Sequence, residues 1–305
     1  MDAKNSAHDA GTANGPMLVI AMTTLAMVAF AANSLLTRAA FQTTAIDAAS
    51  FTVIRVVSGA LTLLIIAMLQ GAKLRSSRTG WWSAVLLFTY VAAFSFAYRD
   101  ISTGAGALVL FASAQLLMIS YGYCKGERTS SMGVLIALGG IAAFLAPSAS
   151  APSLAAAALM AVAGFAWGGF SLMGRSSDSP ISNTAASFLW AVPLALILML
   201  VRREQLSVDT WGMTYALLSG SLASAIGYAI WYWVRVRMTA ISAGAVQLSV
   251  PVLSAMLGVL ILSEEISWIG GISALITLGG VAWVTLTAKP GQQGRRSAGV
   301  EEPGR

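Results

Sequence analysis

Between Arg128 and Arg175 the chain runs for 46 residues without a charged side chain. That is room for two membrane crossings at about 20 residues each. The remainder follows suit: 10% of the 305 residues are charged and 57% are hydrophobic, where soluble domains carry about 25% charged residues. Of the 30 charges, nine lie in the tails, at Asp2, Lys4, Asp9, Lys289, Arg295, Arg296, Glu301, Glu302 and Arg305. Residues 17 to 288 therefore read as a protein whose solvent is lipid.

Apolar runs near 17–36, 46–69, 81–98, 102–121, 131–146, 153–173, 183–201, 211–234, 240–262 and 267–287 predict ten helices. Uncharged runs of this length satisfy their own backbone groups in a bilayer only by coiling, and the alternation of a transmembrane barrel is missing. The expected class is an all-α integral membrane protein with polar tails at 1–16 and 289–305. Ten crossings place both tails and four loops on one face, with 13 of the 18 Lys and Arg residues; the opposite face holds Arg38, Arg99, Arg202 and Arg203. The positive-inside tendency makes the richer face, and so both termini, cytoplasmic. The polar start lacks the basic region and cleavage signal of a secretory leader, so the first helix is expected to stay in the mature protein.

Sliding the sequence on itself gives one recurrent offset, 137 residues. Ala48-Ala49-Ser50-Phe51 meets Ala185-Ala186-Ser187-Phe188, and Ala29, Phe30, Ser34, Leu35 and Arg38 meet Ala166, Trp167, Ser171, Leu172 and Arg175. Phe94 and Phe96 meet Trp231 and Trp233, Glu127 meets Glu264, and Gly133 meets Gly270; beyond this the offset slips to 140, where Leu138-Gly139-Gly140 meets Leu278-Gly279-Gly280. Two five-helix units follow, at 17–146 and 147–288. Because five is odd, the second enters the membrane inverted, a frame typical of secondary transporters.

With this layout the chain resembles the ten-helix branch of the drug/metabolite transporter superfamily, the EamA-type family, over residues 17 to 288. The resemblance is carried by the small-residue helix 1 ending Asn33-Ser34-Leu35-Leu36-Thr37-Arg38, by Arg55 in helix 2, by the GER and SEE segments at 126–128 and 263–265 before Gly-rich helices, and by Gln-Leu-Ser-Val-Pro-Val at 247–252. It implies a central cavity lined by helices 1–4 and 6–9, helices 5 and 10 packed outside, and alternating access for small solutes, typically exported amino acids and related metabolites. The prolines depart from symmetry: Pro251 faces Ala114 and Pro193 faces Val56.

Arg55 is the charge well inside a helix, about 12 Å from Asp47 along the axis at about 1.5 Å per residue. It is expected to face the bundle interior or water. Two readings stand open: its fork of donors holds a substrate carboxylate, or it caps carbonyls or snorkels toward the outer face. Gln115, Gln247 and Asn33 are mid-membrane amides that need a helix partner or a polar ligand. Tyr90, Trp167, Trp190, Trp231 and Tyr232 form a candidate wall for an amphipathic solute, whereas Trp81, Trp82, Trp211 and Trp268 belong to an interfacial belt. The substrate-binding set is thus Arg55, Asn33, Tyr90, Gln115, Trp167, Trp190 and Gln247. Glu127 and Glu264 are read as structural, each facing the positive end of the helix after it, and Gly104, Gly106, Gly168 and Gly169 as points of close helix packing.

One cysteine, Cys124, and one histidine, His8 in a tail, leave no ordinary zinc or haem site; no cofactor or metal is expected. Neither a zinc nor a Ser–His constellation for intramembrane catalysis can be assembled. Helix 1 carries no carboxylate, so facilitated diffusion or exchange is expected rather than proton coupling. The expected partners are a small-molecule substrate and membrane lipid, not nucleic acid, for a monomer or homodimer in the inner membrane. The rival functions are a nucleotide-sugar or organophosphate exchanger, for which one Arg55 supplies too little positive charge, and a non-transporting scaffold or receptor.

Overall fold

The structure, a computed structural model, describes residues 6–71, 78–124, 130–145, 152–174, 180–235 and 246–287. Among them there are ten long helices and no strand: α1 (Ser6–Thr43), α2 (Ala48–Leu69), α3 (Arg78–Ala97), α4 (Thr103–Cys124), α5 (Ser131–Leu145), α6 (Leu154–Gly174), α7 (Pro180–Val201), α8, α9 (Ser249–Leu262) and α10 (Trp268–Thr287). The rod α8 is wound in three consecutive pieces, α-helical over Thr210–Leu218, π-helical over Ser219–Ile226 and α-helical again over Gly227–Arg235. Seven of the helices are long and apolar enough to cross a membrane, and apolar shorter ones occupy 131–144, 249–262 and 268–284. Glu127 and Arg175, the repeat partners of Glu264 and Arg38, lie outside the described residues.

Five helices, α2, α5, α6, α8 and α10, begin where a short polar side chain takes an orphan backbone N–H. The Asp47 carboxylate accepts from Ala49 N (2.8 Å) and Ser50 N (3.1 Å) at the start of α2. Ser130, Ser153 and Ser267 do the same for α5, α6 and α10. Asp209 starts α8, and the N–H groups of Gly212 and then Ala45 hold its carboxyl below the usual carboxylate range. Asp47 and Asp209 also clasp the connections they belong to. The second Asp47 oxygen accepts from Ser207 N at 2.9 Å, and Asp209 accepts from Ala45 N at 2.7 Å.

Lipid gives apolar helices no reason to prefer each other over acyl chains, so association rests on close packing and polar contacts. α6 lies against α3 and α4; α1 lies against α8 and α9; α2 packs on α7, on α3 and along the π-helical stretch; α3 also meets α7, and α4 meets α9. α5 and α10 pair chiefly with each other and only lightly with α4, outside the rest. Their seam is glycine-made: a Cβ at Gly280 would sit on the Ala137 backbone, and one at Gly140 on Thr277. Gly104 and Gly168 likewise approach Ala255 and Ala114, Gly106 lies under the Tyr98 ring, and Gly169 touches Leu86.

The structure shows what the unsymmetrical prolines do and corrects the reading of Glu264. Pro251 falls in the first turn of α9, where its missing N–H costs nothing, so it marks the start of α9 at Ser249, whereas Pro193 sits in the interior of α7. Glu264 does not serve the helix that follows it. Ser263, in the left-handed region at φ 54°, turns the chain back. The Glu264 carboxylate thereby reaches the start of α4, accepting from Thr103 N at 2.8 and 3.0 Å, and pairs with Arg38 Nε at 3.4 Å. Arg38 in turn donates through Nη1 to the carbonyls of Tyr98 and Arg99 at 2.9 and 2.7 Å. This is the one ion pair among the described residues.

The Asp47 cap should be separable from the rest. Asp47→Ala is expected to cost about 0.5–2 kcal/mol, while Asp47→Asn retains an acceptor for Ala49 and Ser50. Melting temperatures of the purified variants in one detergent check this order, and equal loss in both would assign the effect to the Ser207 clasp instead.

Candidate functional site

Arg55 is fully buried on α2. Its Nε donates to Ser224 Oγ (3.3 Å) in the π-helical stretch, and its Nη2 donates to the Tyr90 hydroxyl (3.1 Å) on α3. The guanidinium carbon lies 4.8 Å from the Phe94 ring centre and 5.4 Å from that of Tyr90, both within cation–π range. Nη1 has no hydrogen-bond partner, and no carboxylate is paired with Arg55 among the described residues. The fork is thus spent on neutral groups, and it neither snorkels nor opens toward the centre.

Asn33 of α1 stands beside it, taking the Ser219 hydroxyl proton at Oδ1 (2.6 Å) and donating from Nδ2 to Tyr90 (3.4 Å). The π winding makes this set possible. Ser219 and Ser224 are five residues apart, about 140° around an α-helix, yet both turn inward, one to α1 and the other to α2. Around these polar groups rings interlock: Phe30 meets Trp167, Tyr228 and Trp231 at 5.8 to 6.1 Å between centres, and Trp167 stacks on Tyr228 at 5.3 Å. The indole N–H of Trp167 and the hydroxyl of Tyr228 are buried without a hydrogen bond. Both line a void of about 20 Å³, together with Asn33, Tyr90 and Phe94.

Residues 154–286 match the model of the EamA-like transporter family. Over 280 residues the chain is 45% identical to the uncharacterized protein PA1977 of Pseudomonas aeruginosa, spanning 91% of this chain and 97% of that one. The chain belongs to the EamA-like transporter family. A solved crystal structure overlays with a TM-score of 0.65 at 18% identity, covering 87% of this chain and 98% of the other; a likeness at that identity speaks to the fold alone.

In this EamA-like transporter the expected site residues part company. Arg55, Asn33, Tyr90 and Trp167 come together. Trp190 is 45% exposed on the outer surface of α7, ring against ring with Trp81 at 6.0 Å. Gln115 is buried on α4 with Nε2 unpartnered and does not line the central void. Gln247 is half-buried two residues ahead of α9. Trp81, Trp82, Trp211 and Trp268 are exposed near helix starts. Ser219, Ser224 and Tyr228 were not foreseen. The repeat did hold a signal for the rings, because Phe30 and Trp167 are its equivalent positions and they touch.

At the centre, where the resemblance implies a cavity, the rings leave a void that admits about one water. Larger spaces lie apart from it. A cleft of about 780 Å³ opens on the flank of α4, α9 and α10, apolar except at the Glu264–Glu265 end. A polar vestibule of about 440 Å³ sits over the first turn of α2, with Asp47, Arg99, Asp100 and Arg202 on its walls.

Gly220 is the tightest contact of the site, its Cα against the Arg55 carbonyl and Ser58 Oγ. Gly220→Ala is expected to push α8 off α2 at a cost of about 1–3 kcal/mol. The measurement is the melting temperature in detergent beside that of Gly279→Ala, whose Cβ meets nothing within 4 Å and which should melt close to wild type.

Proposed function

We propose that the chain moves small metabolites across the inner membrane by alternating access, as an exporter of amino acids or related amphipathic solutes. Both termini face the cytoplasm in this reading. The observation that carries it is the buried cluster of Arg55, Tyr90, Asn33, Trp167 and Tyr228 in a membrane transporter of the EamA-like family. Ionised and orphaned polar groups at membrane depth are expensive and mark solute pathways. Here the cluster gathers side chains from α1, α2, α3, α6 and α8.

Ten crossings in two inverted repeats, 17–146 and 147–288, belong to the same proposal. Its support is the pattern of helix pairings. Exchanging α1 with α6, α2 with α7, α3 with α8, α4 with α9 and α5 with α10 turns the α3–α6 contact into α8–α1, α4–α6 into α9–α1, and α3–α7 into α8–α2. The α2–α7, α4–α9 and α5–α10 contacts map onto themselves. Similar units in opposite orientation supply the two access states. The vestibule above α2 is the outer mouth, and the closed ring cluster is an occluded arrangement. The Asp47–Asp209 clasp and the Arg38–Glu264 pair hold the outer side shut. Transport is facilitated diffusion or exchange.

The test is solute counterflow in proteoliposomes with pooled labelled amino acids. Wild type should exchange solute. Arg55→Ala should lose it, and Arg55→Lys should fall by about tenfold, the worth of about one charged hydrogen bond. Full activity in both variants would remove Arg55 from the site, and flux that required an imposed proton gradient would remove the uncoupled mode. No flux of any solute would favour a scaffold or receptor.

A further inference from the structure

We infer that the central site binds its ligand through a carboxylate, received by the Tyr90 hydroxyl, the Trp167 indole N–H and the Tyr228 hydroxyl, with Arg55 acting behind Tyr90 as a positioning residue. This rests on the transporter reading and narrows it to solutes of net negative charge with an apolar body.

The proton count around Tyr90 leads there. The Ser219–Asn33 separation of 2.6 Å lies in the O–H···O range and is short for an amide N–H donor, so Oδ1 faces Ser219 and Nδ2 faces Tyr90. The Tyr90 oxygen then accepts from Asn33 Nδ2 and from Arg55 Nη2, which uses both of its lone pairs. Its own proton is left to give, and the guanidinium polarises that O–H bond. Tyr90 lines the void, as do Trp167 and Tyr228. Trp167 Nε1 is a donor only and is unpartnered at 5% exposure; the Tyr228 hydroxyl is unpartnered at 3%.

Three side chains with a proton to give thus line a space the size of one oxygen, backed by a cation that no described carboxylate neutralises. A carboxylate oxygen completes all of these groups at once. An ammonium group meets donors and a like charge. The walls beyond are ring faces, Phe30, Phe94 and Phe111, suited to an apolar body once the rings part.

A matched series isolates charge from shape: N-acetylphenylalanine (anion), phenylalanine (zwitterion), N-acetylphenylalanine amide (neutral) and phenylalanine amide (cation). Binding to the purified full chain is read by thermal shift and tryptophan fluorescence, and passage by proteoliposome counterflow. The anion should bind about tenfold or more tighter than the neutral amide, about 1.4 kcal/mol, with phenylalanine weaker than the anion and the cation weakest. Tyr90→Phe, nearly isosteric, should erase the anion's advantage while the neutral amide still binds. Arg55→Lys should restore part of the preference that Arg55→Met removes, which a merely structural Arg55 would not do.

Preference for the cation, an undiminished anion advantage in Tyr90→Phe, or stabilisation by chloride in place of the carboxylate series would each overturn the inference. Counterflow of the cation or the neutral amide alone would leave a transporter and sink the carboxylate seat. Tyr90-dependent binding of the anion with no counterflow of any solute would keep the seat and sink transport.

Discussion

A guanidinium at zero exposure with no ion-pair partner among the described residues is the constraint around which this molecule is organised. Removing such a charge from water costs several kcal/mol even after relaxation, and Arg55 offsets it with two neutral hydrogen bonds and two ring faces. Each of those partners comes from a different element or turn, so the requirement spreads. α3 must present Tyr90 and Phe94 one turn apart. α8 must bring Ser224 to α2, and it does so where Gly220 lets the backbones nearly touch. Asn33 is fixed between Ser219 and Tyr90. The aromatic layer then seals the polar knot from the membrane.

The rest of the bundle holds this knot by means suited to lipid. Glycine and alanine seams bring helices close where hydrophobicity offers no preference. At the end of the bundle where α1 passes to α2, carboxylates do the joining: Asp47 and Asp209 each cap their own helix and hold a neighbouring loop, while Glu264 ties the end of α9 to the start of α4 and to Arg38. Such contacts concentrate polar adhesion at the face and leave the apolar middle to shape complementarity.

Helix number and most boundaries were legible because charge-free runs and short polar caps are local features. Arg55, Asn33 and Tyr90 were legible as candidates because a polar group in a long apolar run stands out whatever it touches. Trp190 misled for the same reason: distance from a segment end says nothing about which face of the helix a ring occupies, and α7 turns that face to the outside beside Trp81. Glu264 misled because sequence adjacency to α10 suggested its role, whereas a left-handed Ser263 redirects it to α4. Ser219 and Ser224 escaped notice because α-periodicity puts them on different sides.

That last failure says something about the α8 rod. With π winding between two α segments, the downstream third is out of phase with where an unbroken α-helix would set it, and Tyr228 and Trp231 come to face Phe30. One residue fewer within 219–226 would rotate everything after it by roughly a quarter turn, sending both rings away from Phe30 without altering any side chain beyond the stretch. In this element the architecture of the pocket is written in the number of residues, a quantity that substitution scans never sample and that only insertion or deletion can edit.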